Sequence, residues 1–270
     1  MTKQVKMMIT ELKYSNTNTY LIEGDKGTLL FDTGWAGTFA AFCRELGEKH
    51  KVLQDIDYLL ISHFHPDHMG IAGEIAECGP KVIVVDLQLP YIHSSDSVFE
   101  KENNRFFKPI SENDIKVVSV DESRAFLKSI GINGEIIYTP GHTNDSISLY
   151  LDDGFLFVGD LNPLYELEMH KGTDIEKTWN YLLSLNPSRI YYGHANTAII
   201  AENDKSGSDG LGFKLVSRVI KYIDKGYNMD KIKKKTGADI ELIEDINRMY
   251  LTHPGVSIQG ILDRIEIKNK

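Results

Sequence analysis

Three histidines and an aspartate stand within six residues, His63-Phe64-His65-Pro66-Asp67-His68, in a chain of 270 residues with nine histidines in all. Nine scattered imidazoles would not crowd this way, and such density points to metal ligation. His142 in Thr139-Pro140-Gly141-His142-Thr143, Asp160 in Phe157-Val158-Gly159-Asp160 and His194 in Tyr192-Gly193-His194 follow in that order. Each comes after a short apolar run, where a strand opens into a loop. Alternate residues of an extended segment point the same way, so His63 and His65 can serve one ion. Asp67 and His68 come after Pro66 has turned the chain, which suits a second ion. Asp160, with two oxygens, is the natural bridge between them. Imidazole and carboxylate without thiolate suit zinc first, with iron(II) or manganese as alternatives. Two divalent ions roughly 3.5–4 Å apart share a water that becomes hydroxide near neutral pH. The expected chemistry is therefore hydrolysis by a metal-bridging hydroxide, with Asp67 also counted as the catalytic carboxylate. Any one of these histidines alone would read as a polar cap on a loop.

The elements that must hold this set are legible in outline. Residues 18–32 read as two strands around a Gly24-Asp25-Lys26-Gly27 turn. Residues 36–49 look helical, and Asp57 to Ser62 forms a buried strand delivering the histidine cluster at its end. A helix is expected over Gly70 to Cys78 and a strand over Lys81 to Val85. Residues 86–114 lack periodicity and read as a helical or irregular excursion beside the site. Strands resume at 115–120, 134–138, 146–151 and 154–158, the last two joined by an Asp152-Asp153-Gly154 hairpin turn. Thr173 and Glu176 form a capping-box pattern opening a helix to Leu185. Arg189 to Tyr192 is a strand ending at Gly193-His194. Strand pairs interleaved with helices imply a layered α/β fold. Glu202 to Gly210 is polar and glycine-rich, the pattern of a linker. Beyond it, Phe213 to Ile223, Ile240 to Tyr250 and Ile258 to Ile265 have helical spacing. The domains expected are residues 1–205, catalytic, and 211–270, a helical appendage. The Lys231–Lys235 run reads as a solvated helix face.

Composition narrows the classes. With 41% hydrophobic and 26% charged residues, a soluble globular protein is expected. A net charge of −9 disfavours a phosphate-tracking surface, so nucleic acid is not an expected partner. The two cysteines, Cys43 and Cys78, show no CxxC spacing and read as small buried hydrophobes in a reducing compartment. The apolar run at the N-terminus is too short for a signal peptide, and none reaches the ~20 residues of a membrane helix. The expectation is a cytoplasmic protein with a small-molecule substrate, no membrane partner, and a homodimer as one possible assembly.

With Asn18-Thr19-Tyr20-Leu21-Ile22 and Leu30-Phe31-Asp32-Thr33-Gly34, the seven residues resemble the full metal signature of the metallo-β-lactamase-fold hydrolases, over residues 12 to 197. The resemblance implies an αβ/βα four-layer sandwich with two metals at one edge, extended here by a small helical C-terminal appendage. It assigns His63, His65 and His142 to one ion and Asp67, His68 and His194 to the other, with Asp160 bridging. Asp32 would support the ligand loop without binding metal. It implies hydrolysis of an ester, thioester or lactone, as thioesterases and lactonases of that fold perform. Two alternatives stay open: phosphodiester cleavage at the same site, and a mononuclear iron oxidoreductase resembling persulfide dioxygenases. Leu161-Asn162-Pro163-Leu164-Tyr165 departs from the Asp-Thr-Leu-Phe run of glyoxalase II. Tyr165 stands five residues after Asp160, where lactonases carry a tyrosine at three, and is expected as a pocket wall. His170 and His253 are the other candidates for substrate contact; His93 lies in the 86–114 excursion, and His50 is expected at an exposed helix end. Tyr91, Phe99, Phe106 and Phe107 offer an aromatic wall for an apolar substrate.

Overall fold

Strand residues alternate sides, so a strand that is apolar at every position needs cover on both faces. Leu29, Leu30 and Phe31, or Val82, Ile83, Val84 and Val85, are such runs. The computed structural model describes residues 7–200, 208–252, 258 and 261, and the backbone alone of 165, 168 and 208–214. It supplies that cover with two sheets packed face to face and helices outside each.

In chain order the first sheet and its helices are β1 (Met8–Leu12), β2 (Thr19–Glu23), β3 (Thr28–Phe31), α1 (Phe39–Glu48), β4 (Tyr58–Leu60), α2 (Pro66–Met69), α3 (Ala72–Ala76), β5 (Lys81–Val85), α4 (Asp96–Lys101), β6 (Ile115–Val118) and α5 (Ser123–Ser129). Then come β7 (Gly134–Tyr138), β8 (Ile147–Leu151), β9 (Phe155–Phe157), α6 (Asp174–Ser184), β10 (Arg189–Tyr191) and β11 (Ala198–Ile199). The six-stranded sheet runs β1-β2-β3-β4-β5-β6, and the five-stranded one β11-β10-β9-β8-β7. β1 to β3 are antiparallel, while β3 to β6 are parallel. β9 and β10 pair in parallel, joined by a crossover through α6.

Register decides which residue faces which layer. Tyr20, Phe31, Leu60 and Ile83 turn inward and pack with Leu149, Phe157 and Tyr191 of the second sheet. Their neighbours Leu21, Leu30, Leu59 and Val82 turn outward onto Phe42 and Leu46 of α1 and Ile75 of α3. On the far side Leu156 and Ile190 meet Ile175, Trp179 and Leu182 of α6. Each fully buried side chain of this size contributes about 1.5–3 kcal/mol. The result is the four-layer αβ/βα sandwich.

Several local expectations change. β1 is a half-exposed edge strand and α5 spans under two turns, so neither leaves a strong periodic signal. The Thr173 hydroxyl donates to His170 O at 2.6 Å instead of capping α6, and Glu176 accepts from Gly172 N. Cys43 and Cys78 are both exposed, not buried. Cys43 follows the inward-facing Phe42 by one residue, which rotates it out of the apolar stripe of α1.

The chain divides into two compact units, Met1–Ile200 and Ala201–Lys270. In the second, α7 (Ser208–Asp224), α8 (Met229–Thr236) and α9 (Ile240–Thr252) contact one another pairwise. Val216, Val219, Ile232, Ile243 and Ile246 supply its buried face. α7 begins inside the expected linker. Asn228 caps α8 by accepting from Lys231 N, and Gly237 ends it in the left-handed conformation. Ile258 and Ile261 are helical and buried, while the other residues of the expected last helix lie outside the described ones. Lys231 and Lys233 to Lys235 are exposed, Lys231 lying over the Tyr227 ring. Among the described residues, no helix is long and apolar enough to cross a membrane.

Candidate metal centre

The ligand-bearing loops leave the ends of β4, β7, β9 and β10, in the two facing sheets. After β4 the chain bends at Ser62 and His63 and is extended at His65, then Pro66 opens α2 at its first position, where a missing N–H costs nothing. That turn swings Asp67 and His68 to the other side of the cluster. His142 sits in the β7–β8 connection, Asp160 two residues past Val158, and His194 past β10.

Seven side chains from these loops meet in three overlapping groups. His63, His65 and His142 form one, Asp67, His68 and His194 a second, and His63, His68 and Asp160 join them. In each group the candidate ligand atoms lie within 4.8 Å of one another. His142 Nε2 is 3.1 Å from His65 Nδ1, and His194 Nε2 is 3.0 Å from Asp67 Oδ2 and 3.4 Å from Asp160 Oδ2. His68 Nε2 stands 3.2 Å from Asp160 Oδ1, but neither atom makes a well-directed hydrogen bond.

His63 Nε2, His68 Nε2 and Asp160 Oδ1 are buried without a hydrogen-bond partner. Burying an unpaired polar atom costs about 1–3 kcal/mol, so three at one spot make a seat suited to a ligand. A divalent cation fits: the donors are imidazole nitrogens and carboxylate oxygens, and the far nitrogen of each buried histidine is already held. Asp32, fully buried at the end of β3 with φ +60°, accepts from His68 Nδ1 at 2.9 Å. It also accepts from Ser62 N at 2.6 Å and Ser62 Oγ at 2.8 Å, and Ser62 Oγ lies 3.0 Å from His63 Nδ1. The His194 Nδ1 proton goes to Asn16 O at 3.0 Å. Each arrangement aims the remaining nitrogen at the cluster.

Two glycines make the close approach possible. A Cβ on Gly193 would fall 2.6 Å from Asp160 Oδ1 and 2.8 Å from His68 Cε1. Gly159, at φ +54°, lies against Ser62.

Charge is balanced locally. Burial and the neighbouring His68 push His63 well below its ordinary pKa, and burial lowers His142 too. Burial opposes charge on His68, but Asp32 and Asp160 outweigh it and push its pKa up to about 10. Hydrogen bonds to Asp160 and Asp67 push His194 up to about 10. Burial opposes the charge of Asp160 and Asp67, yet His194 and His68 hold both carboxyls below the usual range. In the metal-free protein, protons on His68 and His194 stand where cation charge would.

Sequence reasoning missed Ser62, Gln88, Ser95 and Asp145, all buried polar residues at the loops. Their one local signal is polarity within apolar surroundings, as Gln88 between Leu87 and Leu89. The substrate candidates are not drawn into the cluster by any described contact. His170 ends a 3-10 segment, Leu164–His170, and its carbonyl accepts from Thr173. The Tyr165 side chain and His253 lie outside the described residues. His93 pairs with Asp96 at 2.8 Å, and His50 is an exposed residue after α1. Phe99 is core, stacked on Phe107 at 4.1 Å, while Phe106 is exposed under Arg105.

Comparison with known proteins agrees with this geometry. A family model described as the metallo-beta-lactamase superfamily matches residues 13–194. The beta-lactamase-like protein 2 homolog of Drosophila melanogaster is 30% identical over 189 residues, covering 67% of this chain and 59% of that protein. A protein of Methanocaldococcus jannaschii named "Probable metallo-hydrolase" is 32% identical over 148 residues, 54% of this chain and 66% of that one. The match thus spans 59% and 66% of these relatives' length, less than two thirds of either. A metallo-beta-lactamase family protein from Thermus thermophilus shares the fold, with a TM-score of 0.53 at 21% identity, over 78% of this chain and 81% of that one.

Proposed function

The chain belongs to the metallo-β-lactamase superfamily, and on that premise we propose that it hydrolyses an ester, thioester or lactone of a small molecule with two divalent metal ions, zinc or iron. One observation carries the reading: three buried ligand atoms without protein partners converge inside a cluster of seven side chains. His63, His65 and His142 would hold one ion, and Asp67, His68 and His194 the other, with Asp160 reaching both. Bound there, the ions would supply an acidified water and Lewis-acid stabilisation of charge developing on the attacked group.

The chain's own residues do the rest. Asp32 fixes the tautomer of His68 by accepting at Nδ1, so that Nε2 presents a lone pair. Asp67 keeps its carboxylate ionised beside His194 and His68, so it would be able to hold a cation and to accept a hydrogen bond from a water at the site. Gly193 leaves Asp160 room to approach both trios. Residues 1–200 carry 28 acidic against 17 basic residues, which repels a long polyanion and favours a small, weakly charged substrate.

Elemental analysis of the purified protein with a panel of esters, thioesters, lactones and phosphodiesters tests the reading. Two metals per chain and turnover of a carbonyl substrate are expected. Cleavage of phosphodiesters alone would replace the substrate class. A single iron with oxygen uptake on a persulfide would overturn the hydrolase reading altogether.

A further inference from the structure

The two trios share Ser62 and Asp32, which reach both His63 and His68, and otherwise hang on different supports. His68 and its neighbours are tied to the N-terminal strands. Thr33 donates to His68 O through both N and Oγ1 at 2.8 Å, and Thr17 Oγ1 donates to Asp67 O at 2.7 Å. Asn16 holds His194, as above.

The His63–His65–His142 trio is tied elsewhere. Phe64, between the two histidines, donates its N–H to Asp145 Oδ2 at 2.8 Å. Asp145 lies three residues after His142 in the same loop, so this bond joins the two loops that supply the trio. The Asp145 carbonyl in turn accepts from Gln88 Nε2 at 3.0 Å, and the same nitrogen donates to Ile61 O at 3.1 Å. Val85 N donates to Gln88 Oε1, which fixes the carboxamide. Gln88 is fully buried and Asp145 nearly so. Ser95 Oγ closes the bracket by donating to Phe64 O at 2.5 Å. Loss of the buried Asp145 bond leaves the Phe64 N–H unsatisfied. No ligand of the second trio belongs to this bracket.

We propose that Asp145, braced by Gln88, is a positioning residue for one metal subsite only, setting the spacing of His63, His65 and His142. The inference rests on the two-metal reading above. Asp145 acts through the loops and touches no reacting atom.

Zinc titration of metal-free protein tests it. Wild type is expected to take two equivalents tightly. Asp145→Ala should leave one as tight as before and weaken the other at least tenfold. In a His65→Ala background, which already lacks the first trio, adding Asp145→Ala should leave the remaining site unchanged within twofold. In a His194→Ala background it should weaken the remaining site at least tenfold. Asp145→Asn, whose amide oxygen still accepts from Phe64 N–H, should restore both equivalents. Equal weakening of both sites, or a tenfold loss in the His65→Ala background, would overturn the proposal. Should Asp145→Ala not fold by circular dichroism, Gln88→Met takes its place. It keeps the volume, removes the Nε2 donors, and should give the same asymmetry, at least threefold. Wild type that takes up no zinc would refute the two-metal reading itself, which separates the two failures.

Discussion

His63 and His142 are surrounded mainly by other imidazoles, whereas His68 and His194 face carboxylates, and burial meets opposite outcomes in the two places. At His63 and His142 burial outweighs the pull of Asp160, so this pair is neutral near pH 7. Beside Asp32, Asp67 and Asp160 a proton is retained. His63 and His142 are therefore prepared for a cation in advance, while His68 and His194 must exchange protons for it. The seven candidate ligands, a few Å apart, form two chemically different environments.

Asp160 is the group both seats share, so its removal is the strongest way to break the contrast. Asp160→Ala should cost both ions, a loss beyond the roughly 10–100-fold in affinity typical of removing an outer partner. Retention of two tight equivalents in that variant would remove Asp160 from the ligand set. Asp32→Ala attacks one seat from behind. Breaking its buried pair with His68 should cost about 3–5 kcal/mol in stability, read by urea unfolding. Zinc titration should show the His68 trio suffering more than the His63 trio. Gly193→Ala places a methyl against Asp160 and His68, and overpacking of that kind costs about 1–3 kcal/mol. The variant should melt lower and bind both ions less tightly, the second more so because the methyl also meets His68.

The smallest effect is one of pH, and its sign follows from the raised pKa values. His68 and His194 titrate at about 10 in the folded metal-free protein, against roughly 6.5 unfolded. The folded form thus binds more protons between those values, and this stabilisation is complete below ~6.5. It is lost as pH rises through about 10. Metal-free protein should lose melting temperature between pH 7 and pH 10, and zinc-loaded protein should lose less. A flat or rising profile without metal would show that the carboxylates do not hold those protons.

Most strands were readable because each is a short apolar run bounded by turn residues; β5 falls on its expected bounds, and β4 and β9 within three residues of theirs. α5 and β1 escaped because seven residues and a half-exposed edge carry little periodicity. The buried reading of Cys43 failed for a related reason. Composition says that a cysteine is usually inside, but only the helix phase set by Phe42 and Leu46 says which way it points. The capping box of Thr173 does not form: its hydroxyl is turned back to donate to His170 O, three residues earlier, and accepts nothing from the helix.

The candidate ligands were written in the chain, because metal binding restricts residue type and each of these residues sits beside a strand end that leaves a local trace. Their supports were not. Asn18 Nδ2 reaches Tyr192 O across 174 positions, and Asp145 reaches Phe64 across 81. A buried serine, glutamine or aspartate chooses its partner by proximity in the packed state, and no spacing along the chain encodes that. Residue order alone determined which atoms can grip a cation. The meeting of two sheets decided which of those atoms are left unpaired, which keep a proton, and which loop holds each in place.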